Sequence, residues 1–191
     1  MKKRLYILIF IITILCSLTG CPENSENASV KLNETEATDI INEILPMYIE
    51  ANKILNGYIE TENKAVTDES GNVYQKVISD KYKSVDDIKN LLNSVFTAEY
   101  IDKKYNKIFE SDYPNFKEIE GQLYVAVMSG MLKPLSGNPI EEINNIEKDS
   151  FSAVVKFGGG ESGPESQSTF YFVNQNNKWL INNIENYEPT N

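Results

Sequence analysis

The stretch Ser84-Val85-Asp86-Asp87-Ile88-Lys89-Asn90-Leu91-Leu92-Asn93-Ser94-Val95-Phe96-Thr97-Ala98-Glu99-Tyr100 decides the fold. Ser84 followed three residues on by Asp87 has the form of a capping box, which satisfies free N–H groups at a helix start. Ile88, Leu91, Leu92 and Val95 then recur at three- and four-residue spacing, the mark of one buried helical face. Thr97 can cap a second helix, with Glu99 near its positive end. Tyr100, Ile101, Tyr105, Ile108 and Phe109 supply the apolar stripe of that helix.

Upstream, Ile41, Ile44, Leu45, Tyr48 and Leu55 predict a longer helix from about Thr35 to Asn56, stopped by Gly57. Pro46 lies inside it. It has no N–H and crowds the carbonyl of Asn42, so a kink or a break is expected there. Strands are predicted over Tyr58–Thr67 and Val73–Ser79, joined by the turn Asp68-Glu69-Ser70-Gly71-Asn72. Downstream the period changes from helical to alternating. Glu118–Gln122 reads as a turn into a strand at Leu123–Met128. Further strands are expected at Ile143–Glu147, Phe151–Phe157, Ser168–Asn174 and Trp179–Ile184, the last two joined by the hairpin-like Gln175-Asn176-Asn177-Lys178. Helices first and strands after imply an α+β domain, with N-terminal helices packed on a curved, mostly antiparallel sheet.

The N-terminus reads as an export signal. Met1-Lys2-Lys3-Arg4 is basic and Leu5 to Leu15 is almost continuously apolar. That run is short for a membrane span, which needs ~20 apolar residues. Leu18-Thr19-Gly20-Cys21 resembles the bacterial lipobox, which implies cleavage after Gly20 and lipid on the Cys21 sulfur. An uncleaved anchor or an ordinary signal peptide would also export the chain. Residues 22–34 are polar and read as a tether. The expected organisation is therefore a signal at 1–20, lipidated Cys21 and tether at 21–34, and one domain at 35–191. The expected location is the outer face of the cell membrane.

Composition narrows the function. The formal charge of the chain is −10. Losing Lys2, Lys3 and Arg4 with the signal takes it to −13 and removes the only arginine. Such a surface is a poor match for nucleic-acid phosphates and suits a basic partner. There is no histidine, which excludes Ser-His-Asp and Cys-His catalysis and His-ligated zinc. Cys16 leaves with the signal and Cys21 is lipidated, so no disulfide forms in the mature chain. No cofactor, metal or enzymatic activity is expected. Abundant Lys, Asn, Ile and Glu point to an AT-rich, Gram-positive source.

The segment Tyr74–Tyr124 reads Y-Q-K-V-I-S-D-K-Y-K-S-V-D-D-I-K-N-L-L-N-S-V-F-T-A-E-Y-I-D-K-K-Y, then after a gap E-G-Q-L-Y. It resembles the IseA family, proteinaceous inhibitors of cell-wall DL-endopeptidases. The shared pattern is a strand, a capped helix, a second helix opening on Thr, and a turn into Gly-x-Leu-Tyr. The likeness extends more loosely over residues 36 to 184. It implies a helical part, a sheet with a projecting loop, and inhibition of NlpC/P60-type peptidoglycan hydrolases through a Gly- and Asp-containing loop. Here the corresponding loop, Ser129 to Pro139, keeps its glycines but carries no carboxylate.

Two glycine tracts are the candidate partner-binding residues. The first offers Gly130, Met131, Leu132 and Gly137, an apolar tip that could enter a cleft or fold back on the core. The second offers Gly158, Gly159, Gly160, Glu161 and Glu165, a partner contact or a long solvated hairpin connection. The paired carboxylates Asp86-Asp87 fit helix-start stabilisation better than glycosidase chemistry, since neighbours on a helix point apart. Asp68 to Asn72 lacks the full ligand set of a calcium loop. The reading is a lipid-anchored inhibitor or modulator of a cell-wall endopeptidase with a basic cleft. The alternative is a non-catalytic binding module with a small-molecule or glycan pocket between helices and sheet.

Overall fold

Asn33 starts the first helix. Its side chain accepts from the Glu36 backbone N–H at 2.9 Å, and the Glu36 carboxylate accepts from the Asn33 N–H at 2.9 Å. This reciprocal box satisfies two otherwise free donors. Helix α1 then runs Glu34–Leu55 in a computed structural model that describes residues 31–127, 137–158 and 166–186. The described residues from Leu32 onward cluster as one compact unit. Ala37, Ile41, Ile44, Tyr48, Ala51 and Leu55 form the buried stripe of α1. The helix passes through Pro46 without the break that its missing N–H suggests. Buried residues on both sides of Pro46 hold the helix, since packing of an apolar face supplies most helical stability. The stop is as expected: Gly57 takes φ 81° and its N–H bonds Ile54 O at 2.9 Å.

Strands β1 (Thr61–Thr67) and β2 (Val73–Val77) form a hairpin. Asp68 Oδ1 accepts from Ser70 N and Asn72 N at 2.9 Å each, and Gly71 takes φ 85° to close the turn. Helix α2 (Val85–Val95) begins at the expected box: Ser84 Oγ accepts from Asp87 N at 3.1 Å, and Asp87 accepts from Ser84 N at 2.9 Å. Helix α3 (Ala98–Glu110) follows, capped by the Thr97 hydroxyl. Strands β3 (Phe116–Ile119) and β4 (Gln122–Ala126) come next. Here the structure corrects the sequence reading, because Glu118 and Ile119 belong to a strand. The turn is only Glu120 and Gly121, both at positive φ (50° and 73°), the two-residue geometry that matches strand twist.

The remaining strands are β5 (Gly137–Asn144), β6 (Ser150–Phe157), β7 (Ser166–Gln175) and β8 (Lys178–Asn186). β5 lies earlier than the expected Ile143–Glu147, and Asn145 at φ 52° ends it. The β7–β8 hairpin turns on Asn176 and Asn177, both at positive φ, inside the expected tract. The fold class is the expected α+β, with three helices on the N-terminal side of antiparallel strands. The strands divide between two four-stranded sheets, ordered β1-β2-β4-β3 and β5-β6-β7-β8.

Helix α1 lies on the second sheet at β5 and β8, while α2 and α3 touch both β3 and β8. The helices thus join one edge strand of each sheet. The joint is specific. Phe96 bridges Ile181 in parallel, Thr97 N–H bonds Ile181 O at 3.0 Å, and the buried Thr97 hydroxyl meets Asn182 Oδ1 at 3.1 Å. Tyr48 packs against Phe96, Phe157 and Phe170 with ring centroids 6.1, 6.0 and 5.0 Å away. Such aromatic pairs contribute about 0.5–1.5 kcal/mol each beyond the area they bury.

Candidate partner-binding surface

Strand register sets the geometry of the two glycine tracts. Gly137, the first residue of β5, lies opposite Phe157 at the end of β6. Phe157 in turn lies opposite Ser166, the first residue of β7. Neighbouring strands sit about 4.8 Å apart, so these three anchors span roughly 10 Å. Residues 128–136 lead into the first anchor, and residues 159–165 join the other two. Of the sequence-predicted contacts, Gly137 opens β5 and Gly158 follows β6 with φ 77°. Gly130, Met131, Leu132, Gly159, Gly160, Glu161 and Glu165 lie outside the described residues, as does Cys21.

The anchor is stiff where it meets the core. Phe157 is 1% exposed and stacks near both Tyr48 and Phe170, the latter at 5.6 Å. Beside it, Lys156 on β6 pairs with Glu141 on β5 at 2.9 Å. β5 shifts register twice, between Gly137 and Ile140 and again between Ile140 and Glu142. Bulges bend and twist an edge strand, and they let Pro139 sit in β5 without supplying a ladder donor.

The first sheet adds a feature that the sequence did not disclose. Val73, Tyr113 and Val127 are exposed, at 38%, 40% and 44%. They meet at the end of β2 and β4 from which residues 128–136 depart. Val127 N–H bonds Val73 O at 3.0 Å, and the Tyr113 hydroxyl donates to Val73 O at 3.1 Å. Underneath, Tyr74 is fully buried, with Tyr113 edge-on at 5.5 Å and Lys117 Nζ 5.7 Å from its ring centre. The Tyr74 hydroxyl is buried without a hydrogen-bond partner among the described residues. The salt bridge from Lys117, at 3.0 Å, holds the Asp68 carboxyl below its ordinary range, helped by the Asn72 backbone N–H. Asp68 is thereby committed to its turn. Among the described residues no three or more His, Cys, Asp or Glu side chains are placed to hold a metal.

Asp87 of the Asp86-Asp87 pair also has structural partners. Backbone N–H groups, that of Lys83 first, and the Ser84 hydroxyl hold the Asp87 carboxyl down, as a helix cap requires. Burial pushes the hydroxyls of Tyr48 and Tyr105 strongly up, so neither forms a phenolate readily. Tyr100 of the expected α3 stripe is buried, as are Phe116, Phe170 and Phe172.

The geometry is that of a scaffold that sets Gly137, Phe157 and Ser166 on three adjacent strands of the second sheet, with an exposed apolar patch at Val73, Tyr113 and Val127 on the first. A model of the IseA DL-endopeptidase inhibitor family matches residues 28–186, every element from α1 to β8, and the chain belongs to that family. No curated protein matches the chain.

Proposed function

We propose that this protein is a surface lipoprotein, held by lipidated Cys21, that binds and inhibits a peptidoglycan DL-endopeptidase. Family membership supports the class of target. The observation that carries the binding mode is the register Gly137–Phe157–Ser166, which gathers the bases of both glycine tracts on three adjacent strands. Loops on a rigid scaffold are a common way to present a binding surface. The charge of −13 left once Lys2, Lys3 and Arg4 go with the signal favours a target with a basic cleft, and opposite fields speed encounter. No residue does chemistry in this reading, and neither metal nor cofactor takes part. Nucleic acid is not a partner.

The test is hydrolysis of peptidoglycan by DL-endopeptidases of the same organism, with residues 22–191 added. Dose-dependent inhibition that weakens with added salt is expected, because salt screens exposed charges beyond ~8 Å. If the second tract makes the contact, Glu161→Lys with Glu165→Lys abolishes inhibition. If the first does, Gly130→Pro or Leu132→Asp abolishes it. No inhibition and no binding across that enzyme set refutes the function.

A further inference from the structure

At the opposite end of the first sheet lies an open groove of about 830 Å³. Val73 and Val77 bound β2, so the groove sits roughly 13 Å along the strand from the Val73 patch. Its walls are the end of α1, the segment entering β1, the chain from β2 to α2, and the β3–β4 turn. Its floor is apolar: Ile54, Val77 and Leu123 are buried, and Ile78 stands 46% exposed.

The walls are held in place. Ile78 N–H bonds Glu60 O at 2.8 Å, and Tyr58 N–H bonds Lys53 O at 3.0 Å. The Ser79 hydroxyl accepts from Lys81 N and Tyr82 N at 3.2 and 3.1 Å. Glu50 ties the two sides together, accepting from Lys81 Nζ at 2.8 Å and the Tyr82 hydroxyl at 2.6 Å. A site whose shape is fixed before binding loses less entropy on binding.

Four charged side chains on these walls remain outside any ion pair among the described residues: Lys53, Lys83, Glu60 and Asp80. Two positive and two negative groups around an apolar floor do not suit a polyphosphate, which the carboxylates repel, or a plain hydrocarbon. They suit a ligand that carries both signs and small apolar groups. The volume falls within the ~300–1,000 Å³ typical of small-molecule sites.

We propose that this groove binds a short peptide bearing free carboxylates and a free amine. Lys53 and Lys83 take the carboxylates, Glu60 and Asp80 take the ammonium, and Ile78 and its neighbours take small aliphatic side chains. The source of such peptides rests on the function proposed above. An endopeptidase acting on peptidoglycan stems releases fragments of this chemistry next to its inhibitor. The groove and the Val73 patch lie at opposite ends of β2, so a fragment binds without competing for the patch.

The experiment is calorimetry on the full chain purified in detergent. The probe is a synthetic tetrapeptide of three alanines and one glutamate, with two free carboxylates and one free amine. Saturable binding is expected. Blocking the amine by acetylation, or one acid by amidation, should each weaken it by about tenfold, the loss of one charge-assisted contact. Lys53→Glu with Lys83→Glu should abolish it. Both lysines are exposed, and an unchanged melting temperature will show that the variant folds. No binding of the free peptide, equal binding of the blocked peptides, or binding that survives the double variant overturns the site. Endopeptidase inhibition is measured separately on the unaltered protein. Peptide binding without any inhibition refutes the inhibitor and keeps the groove. Inhibition without peptide binding does the reverse.

Discussion

Replacing Tyr74 by Phe should make this protein more stable. The Tyr74 side chain is 0% exposed, and its hydroxyl has no hydrogen-bond partner among the described residues. In the unfolded chain that hydroxyl is hydrated. Burying a hydroxyl without a partner costs about 1–3 kcal/mol by mutational measures. Phenylalanine keeps the ring, and with it the edge-on contact to Tyr113 and the position under Lys117 Nζ. A somewhat weaker attraction to Lys117 returns a few tenths of the gain, since exposed cation–π contacts are worth only about 0.5–1 kcal/mol. The net expectation is a gain of about 1 kcal/mol. For a chain of this size that raises the melting temperature by about 2–4 °C. The assay is urea unfolding followed by circular dichroism. The midpoint should rise with an unchanged slope, which reports the surface exposed on unfolding. A loss of stability would show that the hydroxyl is hydrogen-bonded in the folded protein, and the argument from an orphaned donor would fail.

Ser84→Ala removes one half of the α2 capping box and should cost about 1 kcal/mol in the same urea assay, whereas Ser84→Asp should cost little. Acid should destabilise the fold below about pH 4.5. Burial pushes the Glu50 carboxyl up, but hydrogen bonds from Lys81 and Tyr82 more than offset this and hold it below 4.5; Asp68 and Asp87 are likewise held below 3.8. Depressed carboxyls stabilise the fold above their unfolded values, and that stability disappears as pH falls through the folded ones. A melting temperature unchanged from pH 6 to pH 3 would contradict this. Burial raises Tyr48 and Tyr105, so stability should fall as pH rises past 10, where unfolded tyrosines ionise and these two remain protonated. Cys21→Ser should release the protein from membranes and abolish labelling by a fatty-acid analogue; a labelled, membrane-bound variant would disprove lipidation.

The helices were legible because their determinants are local. A cap residue, a box partner three positions on and a stripe at helical spacing all lie within a few turns, and Ser84, Thr97 and Gly57 act as their types suggest. Pro46 does not break α1: its local cost is visible in sequence, whereas the burial that holds the helix comes from distant elements, α2, β5 and β8. β3 was missed because its four residues include Lys117 and Glu118, polar positions next to a turn signal. β5 was read short because Gly137 and Pro139 punctuate a chain that continues extended on an edge, where bulges tolerate both. The division into two sheets depends on pairings across the chain, such as β2 with β4, which no local pattern encodes. The same holds for the candidate surface. The glycine tracts could be named from sequence, but only register shows that their anchors are neighbours. Val73, Tyr113 and Val127 lie 40 and 14 residues from one another and carry no shared motif.

The anchoring of Phe157 has a consequence for how this protein can change over evolutionary time. Strand pairing and the Tyr48–Phe157–Phe170 contacts fix the two points that residues 159–165 must join, whatever those residues are. Closing a longer connection between fixed points is cheap: each doubling of length costs only about 0.6 kcal/mol. Insertions, deletions and charge changes in that tract can therefore accumulate with little effect on folding. Under the function proposed above, with the second tract as the contact, a lineage would retune its target by rewriting the tract, while selection for a stable scaffold acts elsewhere in the chain.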